Sequence, residues 1–278
     1  MAWLKPAFPE RPEDAKKGDY GRVVAVGGSR DLPNTPAIVA TAASRAGADL
    51  PFINAPERPA DACSSFALDL ITRPLEGERL LPGHVDRIRQ SIDDSTVLVI
   101  GNGVGRSQAS VQAVQQLVAE TDVPVVLDAD ALHADVAGMR LADRKAVLTP
   151  HRGEFKALYE EPGESLAVRK EQVAKAARVV DATIVLKAPR DVVSDGEDTV
   201  VNETGNPYMT KGGTGDVLAG ITAALLARYR PLEAGFLAAQ VAGIAGDRAA
   251  DELRQSLMLD DVLEEIPPAF EEARERAS

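Results

Sequence analysis

The stretch best equipped for chemistry is Lys211-Gly212-Gly213-Thr214-Gly215-Asp216, which runs straight into an apolar, alanine-rich segment. A glycine-rich turn that opens a helix presents free backbone N–H groups and the positive end of the helix dipole, a natural seat for an anion. The glycines leave room for phosphate oxygens to approach the backbone. An aspartate beside that seat would repel an anion, so Asp216 is out of place if binding were the only task. It fits if Asp216 accepts the proton of a hydroxyl attacking a terminal phosphate, while positioning and charge neutralisation supply most of the rate. The plain alternative is a helix cap, since aspartate is favoured at helix N-termini and glycine turns before helices are common. The turn alone leaves both open.

A second glycine turn, Gly101-Asn102-Gly103-Val104-Gly105, follows an apolar run. It does not complete a GxGxxG fingerprint and lies far from the N-terminus, which argues against a dinucleotide fold. Asp128 and Asp130 close the next apolar run, where a metal or ribose role and a turn-forming role fit equally well.

These residues need elements to carry them. Buried strands running into a turn are expected within 22–28, 96–105 and 123–132, further strands over 51–55, 146–151 and 183–188, and a hairpin over 191–202 around Asp195-Gly196. Helices are expected over 35–47, 108–120, 164–180, 215–229 and 232–253. Such alternation implies an α/β fold whose parallel sheet is covered on both faces, with ligands bound just beyond the strand ends. A single domain over 1–278 is expected, with its core at about 16–253 and charged tails at both ends.

The segment GNPYMTKGGTGDVLAGITAALLA resembles the ribokinase-like superfamily, and most of all its NAD(P)H-hydrate dehydratase branch. The resemblance extends, in order, through KKGDYGRVVAVGGS, SRAGADL, VIGNGVGR, VVLDADAL, VLTPHRGEF, IVLKA and AGIAGDRAA, from Lys16 to Ala250. It implies a ribokinase-like three-layer sandwich with a mostly parallel central sheet. It also implies ADP- or ATP-dependent dehydration of the S-epimer of NAD(P)H hydrate through a phosphorylated intermediate, with Mg2+ as cofactor. Asp216 would be the catalytic base and touch substrate, as would Thr35, Gly103, Gly105 and His151. Lys187, Ala188, Pro189, Arg190 and Asp191, with Gly213, Thr214 and Gly215, would hold the nucleotide. Glu154 would hold magnesium through water. His151-Arg152-Gly153-Glu154 keeps the spacing of the superfamily's Asn-x-x-Glu motif, with His at the first place. Read without the resemblance, a lone histidine after a strand fits a structural role as well.

The chain departs from that pattern twice. Lys187-Ala188-Pro189-Arg190-Asp191 stands where the family usually has a glycine-rich KGxGT stretch. Asp31-Leu32-Pro33-Asn34-Thr35-Pro36 stands where Tyr-Thr-Gly-Ala-Pro is common, so the Thr35 hydroxyl either clashes with substrate or adds a hydrogen bond. Two further readings share the anion seat: a small-molecule kinase whose product keeps the phosphate, and a nucleotide sensor without turnover.

The formal net charge of -12 over 278 residues argues against a duplex nucleic-acid partner, though local donors can still hold a nucleotide. That acidity fits a salt-rich cytoplasm and ordinary compositional drift equally. One cysteine and three histidines exclude an internal disulfide and a histidine- or cysteine-rich metal cluster. No uninterrupted apolar run of about 18 residues and no signal-like start appear, so no membrane partner and a cytoplasmic location are expected. The alanine-rich helices predict a homo-oligomer. The few residues before Lys16 leave no room for an epimerase domain, so a separate epimerase partner is expected.

Overall fold

The computed structural model describes residues 11–139 and 141–277. Among them nine strands form one sheet: β1 (Arg22–Val26), β2 (Leu50–Pro56), β3 (Ile71–Leu75), β4 (Thr96–Ile100), β5 (Val125–Leu127), β6 (Ala146–Leu148), β7 (Thr183–Leu186), β8 (Asp191–Ser194) and β9 (Thr199–Asn202). Their spatial order is β3-β2-β1-β4-β5-β6-β7-β8-β9. Every pairing is parallel up to β7, and the β8–β9 hairpin closes that edge antiparallel. The hairpin turn is set by Asp195, whose carboxylate accepts the N–H groups of Glu197 (3.0 Å) and Asp198 (2.8 Å).

The helices are α1 (Thr35–Arg45), α2 (Glu57–Ser64), α3 (Val85–Arg89), α4 (Gln108–Ala119), α5 (Arg152–Leu158), α6 (Leu166–Val180), α7 (Thr214–Leu226), α8 (Pro231–Leu253), α9 (Leu259–Glu264) and α10 (Ile266–Ala277). Alternate strand residues face opposite ways, so each strand feeds two cores. Val23, Ala25, Val97 and Val99 pack with α1, α2, α7, α8, α9 and α10. Val24, Val26, Leu98 and Ile100 pack with α3, α4, α5 and α6. The result is a three-layer sandwich. Close seating of α7 on α1 needs Gly220, where a Cβ would come within 2.3 Å of the Val39 carbonyl oxygen. That contact fixes where the N-terminus of α7 ends up.

Several expectations change. The strand expected within 123–132 spans three residues, Val125–Leu127, and its acidic end continues as a 3-10 turn, Ala129–His133. The expected strand over 146–151 stops at Leu148, leaving one parallel bridge between His151 and Lys187. β3, α2, α3 and α5 were not anticipated. The C-terminal region is not a tail: Leu257, Val262, Leu263, Ile266, Ala269 and Ala273 recur at helical spacing and are buried against the α8 side. At the other end, the first ten residues of the expected tail lie outside the described residues. Arg11 is already anchored, donating to Asp49 and to the Gly47 carbonyl, each at 2.7 Å. No helix among the described residues is long and apolar enough to cross a membrane.

Candidate active site

Four adjacent parallel strands, β4, β5, β6 and β7, end at one place. Just beyond them lie Asn102, Asp128, Thr149 with His151, and Lys187, and the first turn of α7 brings Gly215 and Asp216 onto the same spot. The carboxyl edge of an open parallel sheet is where ligands bind, because the loops there are free to carry side chains.

Asp128 is the anchor. Its buried carboxylate accepts from Asn102 Nδ2 (2.9 Å), Thr149 Oγ1 (2.8 Å) and Lys187 Nζ (2.8 Å). Lys187 Nζ also lies 3.9 Å from Glu154 Oε2. Burial works against the Lys187 charge, yet Asp128, Glu154 and Asp216 outweigh it and hold the ammonium above its ordinary range. Lys187 is thus an ion-pair partner before it is anything else. Of the two roles open to Asp128, the ion pair supersedes both. Asp130 takes the turn-forming role, accepting from Gly105 N (2.9 Å) and Arg106 Nε (2.8 Å).

Asp216 is treated differently. Asn102 Nδ2 donates to its Oδ1 at 2.5 Å. Burial and the nearby Asp128 push its pKa up to about 7, against the opposing pull of Asn102 and Lys187. A carboxyl poised there is suited to exchanging protons at neutral pH.

His151 and Glu154 cap α5 reciprocally. The His151 N–H donates to Glu154 Oε2 (2.7 Å), and the Glu154 N–H donates to His151 Nδ1 (3.1 Å). The proton of the neutral ring therefore sits on Nε2, 3.3 Å from Glu154 Oε1. The imidazole is 58% exposed while Glu154 is buried, so the histidine is the member of the pair open to a ligand. Glu154 offers a hard oxygen donor of the kind Mg2+ prefers. Among the described residues no three His, Cys, Asp or Glu side chains are grouped closely enough to enclose an ion. An ion here would be completed by water and by ligand phosphates.

The glycine turn lies at the N-terminus of α7 as expected, with one surprise. A Cβ on Gly215 would stand 3.1 Å from Lys187 Nζ and 3.9 Å from Asp128 Oδ2, so the glycine opens the helix end onto the ion pair. Gly213 adopts φ +95°, and a Cβ there would come within 2.7 Å of Leu259. The Thr214 hydroxyl donates back to Met209 O (3.1 Å) and Lys211 O (3.0 Å). Lys211 itself turns away, its ammonium held by the carbonyls of Gln255 (3.0 Å) and Leu257. The C-terminal segment therefore braces the turn.

Both departures from the family pattern have structural answers. The Thr35 hydroxyl donates to the Asn102 carbonyl at 2.8 Å, and a Cβ on Gly103 would stand 2.6 Å from that hydroxyl. Thr35 thus adds a hydrogen bond inside the protein. In the 187–191 loop, Asp191 accepts from Ala188 N and Asn202 Nδ2, each at 3.0 Å, and burial raises its pKa. Its carboxylate braces the loop in place of the missing glycines, leaving Pro189 and Arg190 exposed, with Arg190 Nε 3.5 Å from Glu203. The site thus gathers Asp216, Lys187, Gly215 and Glu154 directly. Thr35 and Gly103 join it through Asn102, whereas Arg190 and Asp191 engage the hairpin. Two members were missed, Asn102 and Thr149. A buried asparagine between two glycines after a strand was the available signal for the first.

The NAD(P)H-hydrate dehydratase family model matches residues 23–268. The bifunctional NAD(P)H-hydrate repair enzyme of Pyrobaculum aerophilum is 44% identical over 261 residues, covering 92% of this chain and 52% of that protein. The chain therefore spans about half the length of that relative. The ADP-dependent (S)-NAD(P)H-hydrate dehydratase of Cenarchaeum symbiosum is 37% identical over 264 residues, covering 93% of this chain and 91% of its own. Among solved structures, the ADP/ATP-dependent NAD(P)H-hydrate dehydratase of Bacillus subtilis, co-crystallised with ATP and Mg2+, superposes with a TM-score of 0.81 at 25% identity. That match covers 97% of this chain and 96% of that one.

Proposed function

The chain belongs to the NAD(P)H-hydrate dehydratase family, and on that premise we propose that it dehydrates the S-epimer of NAD(P)H hydrate with ADP or ATP as phosphate donor. The observation that carries this reading is Asp216. It is a carboxylate at the mouth of a glycine-opened helix N-terminus, beside an ion pair, with its pKa raised to about 7. A phosphate-binding turn has no use for such a group unless a proton is to be moved.

Asp216 takes the proton from the hydroxyl on the reduced nicotinamide ring as that oxygen bonds to the terminal phosphorus of the nucleotide. The bond from phosphorus to the departing nucleotide breaks, and the hydroxyl becomes a phosphate ester. The ring nitrogen's electron pair then expels phosphate, and loss of a proton from the neighbouring carbon restores the double bond. The carbon's proton leaves with the phosphate and the hydroxyl proton passes from Asp216 to solvent, so the balance is hydrate plus ATP giving NAD(P)H, ADP, phosphate and a proton, with ADP as donor giving AMP. The free N–H groups before α7 receive the phosphoryl oxygens, and the 187–191 loop with Gly213, Thr214 and Gly215 holds the nucleotide. Thr35, Gly103, Gly105 and His151 border the substrate. Mg2+, held through water by Glu154 and by the nucleotide phosphates, supplies charge neutralisation when bound.

The same reading sets the reaction in the cytoplasm, performed by a homo-oligomer beside a separate epimerase. The test is recovery of the reduced-nicotinamide absorbance band from hydrated NADH, with Mg2+ and either ADP or ATP. Recovery that requires nucleotide and releases phosphate is the expected result. Phosphate that stays on an alcohol substrate, with no recovery, would move the assignment to a kinase.

A further inference from the structure

Asn102 is 2% exposed, and four hydrogen bonds meet on it. Its backbone carbonyl accepts from Gly28 N and from Thr35 Oγ1, each at 2.8 Å, which ties the first loop to the end of β4. Its side-chain nitrogen carries two protons, one directed at Asp128 Oδ2 (2.9 Å) and the other at Asp216 Oδ1 (2.5 Å). The partners fix the amide orientation. An amide oxygen turned toward two carboxylates would meet only acceptors, so the nitrogen must face them.

The two carboxylates depend on that nitrogen unequally. Asp128 also accepts from Thr149 and Lys187. For Asp216, Asn102 is the one hydrogen-bond donor found among the described residues. We propose that Asn102 is a positioning residue of the reaction: its amide pins Oδ1 of Asp216 and so reserves Oδ2 as the oxygen that takes the substrate's proton. The inference rests on the dehydratase reading given above.

Three observations support it. A carboxylate at a helix start can turn about its χ angles, and a single short bond to one oxygen removes that freedom. The contact survives the reaction, because Oδ1 still accepts from the amide once Oδ2 is protonated. The electrostatic surroundings need it: Asp128 beyond β5 and Glu154 on α5 oppose ionisation of Asp216, while Lys187 beyond β7 favours it but is already spent on Asp128. A donor aimed at the charged form restores part of the base's ionisation without adding a charge that could capture phosphate.

The experiment is a pH–rate profile of the full chain and of its Asn102→Ala and Asn102→Ser variants, with hydrated NADH, Mg2+ and the preferred nucleotide. For Asn102→Ala we expect kcat at neutral pH to fall about ten- to a hundredfold, nucleotide KM to stay within about twofold, and the acidic limb to move up by about one pH unit. Asn102→Ser, whose hydroxyl can supply one donor, should recover part of both changes. An acidic limb that does not move, or a loss equal at every pH, overturns the proposal. Absence of turnover in the unmodified protein would instead defeat the dehydratase reading. Should the variants fail to fold, the Asn102 side-chain 1H–15N signals of the unmodified protein serve. They should shift with a single titration matching that of the Asp216 carboxyl carbon, and signals indifferent to that titration overturn the proposal without reference to activity.

Discussion

Asp93 and Asp216 lie at opposite ends of the same sheet and have opposite fates. Asp93 precedes β4 and accepts from Ser95 N (3.1 Å), Ser95 Oγ (2.7 Å) and Thr96 Oγ1 (3.1 Å), with Arg22 at 2.9 Å from its other oxygen. Burial works against its charge, but these donors prevail and hold its pKa below the usual carboxylate range. Asp216 is half-buried with one donor and two repelling carboxylates nearby, and its pKa rises to about 7. A cleft of about 760 Å3 also opens beside Asp93, lined by Asp86, Arg89, Gln90, Asp93, Glu120 and Asp122. A roomy cleft among solvated charges is ordinary surface. What marks the reactive end is a carboxylate denied the donors that its neighbour Asp128 receives in full.

The sharpest way to break this contrast is to neutralise each aspartate in turn. Asp216→Asn should retain nucleotide binding and lose at least about a hundredfold in kcat, because the amide cannot accept the proton. Asp93→Asn should leave kcat within about twofold, since its carboxylate holds the turn before β4 and pairs with Arg22 at the far end of the sheet. Comparable losses in the two variants, by the absorbance assay, would erase the distinction between the two ends of the sheet.

A smaller effect should appear in the pH dependence of the unmodified enzyme. The base works only when ionised, so kcat should fall as pH drops through about 7 and level off above it. Asp93, already ionised well below that range, adds no second step. A rate that is flat between about pH 5.5 and 8 would show that ionisation of Asp216 does not limit turnover.

The reactive end was legible in sequence where its determinants are local, and illegible where they are not. Asp216 and its glycines announce themselves because turn, helix start and acid are consecutive. Asn102 does not, because its two acceptors lie 26 and 114 residues away in the chain. Lys187 reads in sequence as a nucleotide contact, and nothing beside it predicts its pairing with Asp128, 59 residues earlier. The same holds for the scaffold. The buried strands β1, β4 and β7 carry continuous apolar runs and were placed close to their true positions. β3 was missed because an edge strand can keep Arg73 and Pro74, which read as loop. The C-terminal helices were missed because the charges of EEARERAS hide the buried face made by Ile266, Ala269 and Ala273.

Thermal stability gives the smallest signal and the most direct one, because it compares the two aspartates with no substrate present. The pKa of folded Asp216 lies near 7, above its ordinary 3.8. Between those values the folded state holds the proton more tightly than the unfolded chain, so stability falls as pH rises through that window, and ionised Asp216 is a burden above it. Asparagine carries no such burden, and Asp216→Asn should melt about 2–4 °C higher than the unmodified protein near pH 8, with the gap closing toward pH 4. Asp93 has the opposite sign. Its folded pKa is lowered, so its contribution is present above the unfolded value and is lost as pH falls through the folded one. Asp93→Asn should therefore melt lower near pH 8, by about 1–2 °C given the exposure of that carboxylate, and this gap too should close in acid. Shifts of the same sign in the two variants near pH 8 would mean that Asp216 is not held against its own ionisation, and the reason for assigning it the proton would be gone.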